Sequence, residues 1–92
     1  MSIRVRVPTP LRKFTAGNDE ISAAGGSVKD VIDDLERNHP GMRERLLDEK
    51  GQIRRFVNIY LNGDDIRFLE ALNSKVKDGD DISIVPAIAG GR

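Results

Sequence analysis

Ser27-Val28-Lys29-Asp30-Val31-Ile32-Asp33-Asp34-Leu35-Glu36-Arg37-Asn38 is the stretch on which the fold turns. Val28, Val31, Ile32 and Leu35 fall at i, i+3, i+4 and i+7, the apolar stripe of a helix that packs on one side only. Ser27 stands where an N-cap belongs, with Asp30 three residues on as an imperfect capping box. Gly25-Gly26 breaks the chain just before it. Pro40 disfavours helix in the residue ahead of it, so the helix stops near Asn38-His39. On the outer face, Lys29/Asp33 and Asp33/Arg37 have the spacing of ion pairs.

Working outward, the N-terminal side reads as β. Ile3, Val5 and Val7 alternate with Arg4 and Arg6, so residues 2–7 form a strand that buries the three aliphatic side chains. Pro8 and Pro10 end it, because proline cannot donate to a sheet ladder. Leu11 to Asn18 reads as a loop carrying Phe14. Asp19 to Ala24 reads as a short second strand, centred on Ile21 and hairpin-paired with the first.

On the C-terminal side, Gly41 to Lys50 predicts a shorter helix with Met42, Leu46 and Leu47 turned inward, broken by Gly51-Gln52. Phe56-Val57-Asn58-Ile59-Tyr60-Leu61 is the strongest strand signal in the chain. Asn62-Gly63 then favours a tight turn with positive φ. Asp65-Ile66-Arg67 reads as a brief return strand. Phe68 to Leu72 reads as one helical turn with Leu69 and Leu72 as plugs. After Val76 and the turn Asp78-Gly79-Asp80 comes the last strand, Ile82 to Val85.

The order β β α (α) β β β is an α+β pattern. A right-handed crossover lays the 28–38 helix on one face of the sheet. This is the β-grasp arrangement of ubiquitin-like proteins: a mixed sheet, one main helix on one face, and a C-terminal tail. The expected organisation is a single domain over 1–86 and a flexible tail over 87–92.

Composition narrows the function. The 92 residues carry fifteen Lys and Arg against fifteen Asp and Glu. Non-specific binding to nucleic acid or to an anionic membrane needs a basic excess, so neither partner is expected. The chain has no cysteine, which excludes disulfides, thiolate catalysis and thiolate metal ligation. No apolar run approaches the ~20 residues of a membrane helix, and Arg4 and Arg6 interrupt any leader-like stretch. A soluble, cytoplasmic protein is expected.

No internal active site emerges. His39, the only histidine, sits at a helix end and reads as a partner of the helix dipole rather than a general base. Asp64, Asp65, Asp78, Asp80 and Asp81 lack calcium-loop spacing and read as turn residues, so no metal site is expected. Gly25-Gly26-Ser27 lacks both the Walker lysine and the Rossmann glycine triplet. Two features remain. If Val57, Ile59 and Leu61 face the helix, then Phe56, Asn58 and Tyr60 face away, with Arg4, Arg6, Ser83 and Val85 on neighbouring strands. Phe56, Tyr60, Val85, Ile88, Arg4 and Arg6 would form a partner-binding patch, since aromatics and arginine are enriched in interface hot spots. Equally, the 40–55 segment could partly cover Phe56 and Tyr60, which would then do nothing more. The second feature is the ending Pro86-Ala87-Ile88-Ala89-Gly90-Gly91-Arg92. Gly90-Gly91 can lie in a groove too narrow for side chains, so a partner enzyme could act on the Gly91 carboxylate; taken alone, the pair favours the plainer reading of a frayed terminus.

The segments Arg55–Arg67, Val76–Pro86 and Ala87–Gly91 together resemble the MoaD/ThiS family of sulfur-carrier proteins. Phe-Val-Asn-Ile-Tyr at 56–60 and Pro-Ala-Ile-Ala-Gly-Gly at 86–91 resemble most its sulfide-carrier branch, which serves cysteine synthesis. The resemblance implies a carrier, not an enzyme, that binds no cofactor of its own. An E1-like enzyme would use ATP to adenylate the terminal glycine, here Gly91 with Gly90 as its slim neighbour. Sulfur then replaces AMP to give a thiocarboxylate. The implied recipient is a PLP-dependent cysteine synthase; in the molybdenum-cofactor branch it is the large subunit of molybdopterin synthase. Arg92 departs from the family form, which ends in Gly-Gly. The Gly91–Arg92 bond would therefore be cut, for instance by a JAMM-type peptidase. The alternatives are the small subunit of molybdopterin synthase, a ubiquitin-like protein modifier, and a plain interaction domain.

Overall fold

A computed structural model describes residues Ser2 to Pro86. Five strands form one sheet in the order β2-β1-β5-β3-β4. They are β1 (Ile3–Arg6), β2 (Glu20–Ala23), β3 (Val57–Leu61), β4 (Asp64–Asp65) and β5 (Asp81–Pro86). β1 and β5 pair in parallel at the centre, and every other pairing is antiparallel. Parallel neighbours need a crossover, and the helix α1 (Val28–Asn38) supplies it. This is the β-grasp order expected from the sequence.

The alternation in β1 and β3 sets the core. Ile3, Val5 and Val7 are buried, as are Val57, Ile59 and Leu61. They meet Val28, Val31, Ile32 and Leu35, the whole predicted stripe of α1. Ser27 Oγ accepts from the Asp30 backbone N–H at 3.2 Å, so the N-cap forms as the sequence implies. Gly25 is required beside that cap. A Cβ there would lie 2.8 Å from Asp30 Cβ and from the Val31 nitrogen, both parts of the first helical turn. A short helix α2 (Met42–Leu46) follows, with Met42, Leu46 and Leu47 buried as expected. Asn62 and Gly63 adopt φ of 52° and 92°, the positive values that let β3 turn back into β4.

Several expectations need correction. Residues Thr9–Thr15 are not a loop but a 3-10 helix. Proline at the start of a helical turn gives up no hydrogen bond, so Pro10 opens the segment rather than merely closing β1. β3 begins at Val57, which leaves Phe56 outside the strand in a turn closed by Val57 N–H to Arg54 O at 3.0 Å. The return strand is only Asp64–Asp65, because the chain turns into a 3-10 helix over Ile66–Phe68. A second 3-10 turn spans Ala71–Asn73. The plug is Ile66, fully buried, with Leu72 packed against the edge of the core; Leu69 is exposed. The ion pairs predicted along α1 do not form. Asp33 instead meets Arg43 of α2 at 3.7 Å, and Arg37 meets Asp34 at 3.6 Å. Exposed helical pairs are worth only ~0.3–0.5 kcal/mol, so a neighbouring helix easily redirects them.

Among the described residues, no helix is long and apolar enough to cross a membrane. The tail expected over 87–92, with Ile88, Gly90, Gly91 and Arg92, lies outside the described residues.

Candidate functional site

The outward side of the sheet is built on a cross-strand row. Glu20 of β2 pairs with Arg6 of β1, Arg6 with Ser83 of β5, Ser83 with Tyr60 of β3, and Tyr60 with Asp65 of β4. Each side chain in the row points away from α1, because its neighbours along the strand point into the core. One step toward the tail, Asn58 pairs with Val85, and the final pairing joins Val57 to Pro86. β5 therefore reaches Pro86 one residue from Phe56.

The two halves of this face differ in character. At the β1 end, Arg6 Nε lies 3.3 Å from Asp81 Oδ2 and Arg4 Nε lies 3.5 Å from Glu20 Oε2. Both arginines stay more than half exposed, so these pairs hold them only weakly. At the β3 end the surface turns apolar. Val85 is 41% exposed there, and Phe56, in the turn before β3, is 56% exposed. Tyr60 is half-buried between its strand neighbours.

Three residues near the start of β3 lie where the sequence did not place them. Phe68, expected in a helical turn, is 87% exposed. Leu69, expected as a plug, is exposed beside it. Arg67, expected in a strand, closes over the start of β3. Its Nη2 donates to Val57 O at 2.7 Å and to Arg54 O at 3.3 Å, while Nη1 donates to Asn58 Oδ1. Asp65 caps the same segment, its Oδ1 accepting from the Arg67 backbone N–H at 2.9 Å. The Arg-Phe-Leu sequence after an Asn-Gly turn was the available signal. Its period fits neither strand nor helix.

The other candidates resolve into structural work. Asp78 accepts from Ser2 N–H at 2.6 Å, and Asp80 accepts from Lys77 N–H at 2.9 Å and from Asn62 Nδ2 at 3.1 Å. These are turn and strand-end hydrogen bonds, as the turn reading expects. His39 caps α1 through its backbone N–H on Leu35 O at 2.6 Å, and its ring Nδ1 lies 3.2 Å from Phe14 O. An open recess of about 510 Å³ is lined by Glu36, Arg43, Glu44, Asp48 and Arg54 among others. Two of its carboxylates are engaged internally. Glu36 Oε1 accepts from Gly41 N–H at 3.2 Å and Arg43 N–H at 3.0 Å. Asp48 Oδ1 accepts from Gln52 N–H at 3.0 Å and Lys50 N–H at 2.9 Å. The Gln52 N–H above all, then the Lys50 N–H and the charges of Arg54 and Lys50, hold the Asp48 carboxyl below its ordinary value.

Comparison with known proteins follows the same lines. A model of the ThiS family matches residues 5–91. The sulfur carrier protein CysO of Mycobacterium tuberculosis is 46% identical over 93 residues, which cover 99% of this chain and 100% of that protein. The crystal structure of the Amycolatopsis orientalis BexX/CysO complex matches with a TM-score of 0.91 at 44% identity, over 97% of this chain and 99% of that one. Small archaeal modifier protein 3 of Haloferax volcanii is 35% identical over 65 residues, 71% of this chain and 70% of that protein.

Proposed function

This chain belongs to the ThiS family, and we propose that it is a sulfur carrier whose reactive atom is the carboxyl carbon of Gly91. The observation that carries this reading is the 46% identity to a sulfur carrier protein along 99% of the chain. The sequence agrees, since it supplies Gly90-Gly91 and no cysteine that could capture an activated acyl group.

The chemistry follows from the weakness of a carboxylate as an electrophile. Hydrolysis of the Gly91–Arg92 bond, by a JAMM-type peptidase, frees the Gly91 carboxylate. Its oxygen attacks the α-phosphorus of ATP in an E1-like enzyme, pyrophosphate leaves, and a mixed anhydride with AMP forms. Sulfide-level sulfur attacks the acyl carbon and AMP departs with the electron pair, leaving a thiocarboxylate. The thiocarboxylate sulfur is the nucleophile offered to a partner synthase, and a PLP-dependent cysteine synthase is the recipient we favour. Two glycines let both enzymes approach the same carbon with no side chain in the way. ATP belongs to the activating partner. The outward patch of Phe56, Tyr60, Val85, Arg4 and Arg6, with Ile88 beside it in sequence, supplies the docking energy that a bare tail lacks.

Incubating the chain with its cognate adenylating enzyme and α-labelled ATP tests the reading. A chain ending at Gly91 is expected to take up label as acyl-adenylate, whereas the chain retaining Arg92 is not. Equal labelling of both, or of neither, contradicts it. The likeness to an archaeal modifier protein favours one second reading, in which Gly91 is joined to lysines of target proteins. Isopeptide-linked Gly-Gly remnants on other proteins would support that reading; a free thiocarboxylate supports transport.

A further inference from the structure

Asn62-Gly63 is the only Asn-Gly pair in the chain. An asparagine followed by glycine is the peptide unit most open to attack by its own backbone, because no Cβ shields the glycine nitrogen. Gly63 stands in open space here: a Cβ built on it would meet nothing within 4 Å. The turn therefore gives the pair no steric cover. What holds Asn62 is a set of hydrogen bonds to the start of β5. Its backbone N–H donates to Asp81 O at 2.7 Å, its Nδ2 donates to Asp80 Oδ1 at 3.1 Å, and its Oδ1 accepts from the Asp81 N–H at 2.9 Å. Asp80 is buried, and its second oxygen accepts from the Lys77 N–H at 2.9 Å. Both ends of the Asn62 amide are thus engaged by β5. A tight turn between β3 and β4 requires the positive φ of the pair, but it does not require these side-chain bonds.

We propose that Asn62 is a site of spontaneous deamidation, latched by Asp80 and Asp81 in the folded chain and reacting only when the β3–β4 turn opens. The step consumes water and needs no enzyme. The Gly63 nitrogen gives up its proton, and its electron pair forms a bond to Asn62 Cγ. The Cγ–Nδ2 bond breaks and ammonia carries the proton away, leaving a five-membered imide. Water then adds its hydroxyl to one of the two imide carbonyl carbons and returns a proton to the nitrogen. Residue 62 ends as an aspartate or as its β-linked isomer. Ring closure turns the amide toward Gly63, so its bonds to Asp80 and Asp81 must break first. The rate in the folded chain is therefore scaled by the fraction of time the turn is open. The product cannot restore the latch. A carboxylate has no N–H to give Asp80 Oδ1, and it sets a second negative charge against a buried one. The change is one-way, and it marks chains that have opened at the end of β3 remote from the Val57–Pro86 pairing.

The test incubates the full chain in mildly alkaline buffer, folded and in guanidinium chloride, and follows residue 62 by peptide mass mapping, which reads the exchange of NH2 for OH. The unfolded chain is expected to convert at least about tenfold faster than the folded one. The ratio of folded to unfolded rates is expected to match, within about threefold, the open fraction given by hydrogen exchange at the Asp81 N–H. Both readouts use the unsubstituted chain. Asp80→Ala, verified as folded by circular dichroism, is expected to convert faster than the folded parent. Asn62→Asp, which reproduces the product, is expected to melt below the parent. A folded parent that converts within about twofold of the unfolded chain overturns the proposal, as does a folded rate well above the open fraction. An unfolded chain in which residue 62 reacts no faster than Asn18 or Asn73 overturns it too. An Asn62→Asp chain that melts with the parent contradicts the one-way latch.

Discussion

Along β3, Val57, Ile59 and Leu61 lie against the core while Asn58 and Tyr60, their neighbours in sequence, face outward onto Val85 and Ser83 of β5. Both sets occupy one strand, yet they answer to different constraints. The inward set is buried among side chains of α1 and β1, where any lost volume leaves a cavity. The outward set is not held to core packing, so this face can carry arginines, a tyrosine and exposed apolar groups. The carrier reading proposed above would call for that separation: the fold would have to survive two enzymes acting in turn on its end, while a recognition surface varied without unfolding it.

The contrast can be broken by substitution on either side. Ile59→Ala is expected to lower the unfolding free energy by about 2–5 kcal/mol in urea titration. That is a large part of the ~5–15 kcal/mol typical of a small domain. Val85→Ser, on the opposite face of the partner strand, is expected to change it by less than about 0.5 kcal/mol. Similar losses at the two positions would mean that the faces are not distinct. Arg67→Ala falls between them. It removes three hydrogen bonds from a charged donor, and thermal unfolding is expected to show a loss of about 1–3 kcal/mol. Ser27→Ala removes the cap of α1 and is expected to cost about 1 kcal/mol, with the sheet's outward face unaffected.

The smallest effect concerns acid. Asp48 has a folded-state carboxyl held below its ordinary value of 3.8. A lowered carboxyl stabilises the fold above the unfolded value and loses that contribution as pH falls through the folded one. The melting temperature of the parent chain is thus expected to exceed that of Asp48→Asn near neutrality. The difference should shrink as pH falls from the unfolded value of 3.8 through the lowered folded-state one, where the side chain becomes neutral. A gap that persists or widens in acid would show that the Asp48 turn is held by something other than its charge.

Legibility in the sequence divides along the same line. The inward face was readable because burial imposes a period: four apolar residues at helical spacing placed α1, and alternation placed β1 and β3. Asn62-Gly63 was readable because its backbone conformation restricts the residue types. The corner over 66–69 was not. Ile66, Arg67, Phe68 and Leu69 follow no period, and a 3-10 turn puts Ile66 inward and Phe68 outward without any mark in the local pattern. The role of Arg67 depends on carbonyls at 54 and 57, contacts that no local window contains. The ion pairs of α1 failed for the same reason, since Arg43 belongs to a different helix. The glycines at 90 and 91 lie outside the described residues, and their expected role came from the family resemblance, not from residue type alone.

The central claim is that Gly91 carries the cargo, and the most direct measurement is the intact mass of the protein isolated from its own cells under non-reducing, thiol-free conditions. If the chain is a carrier, a fraction of molecules ends at Gly91 with one carboxyl oxygen replaced by sulfur, and that fraction disappears on mild hydrolysis. A population that always retains Arg92, with no sulfur-for-oxygen exchange under any growth condition, would contradict it.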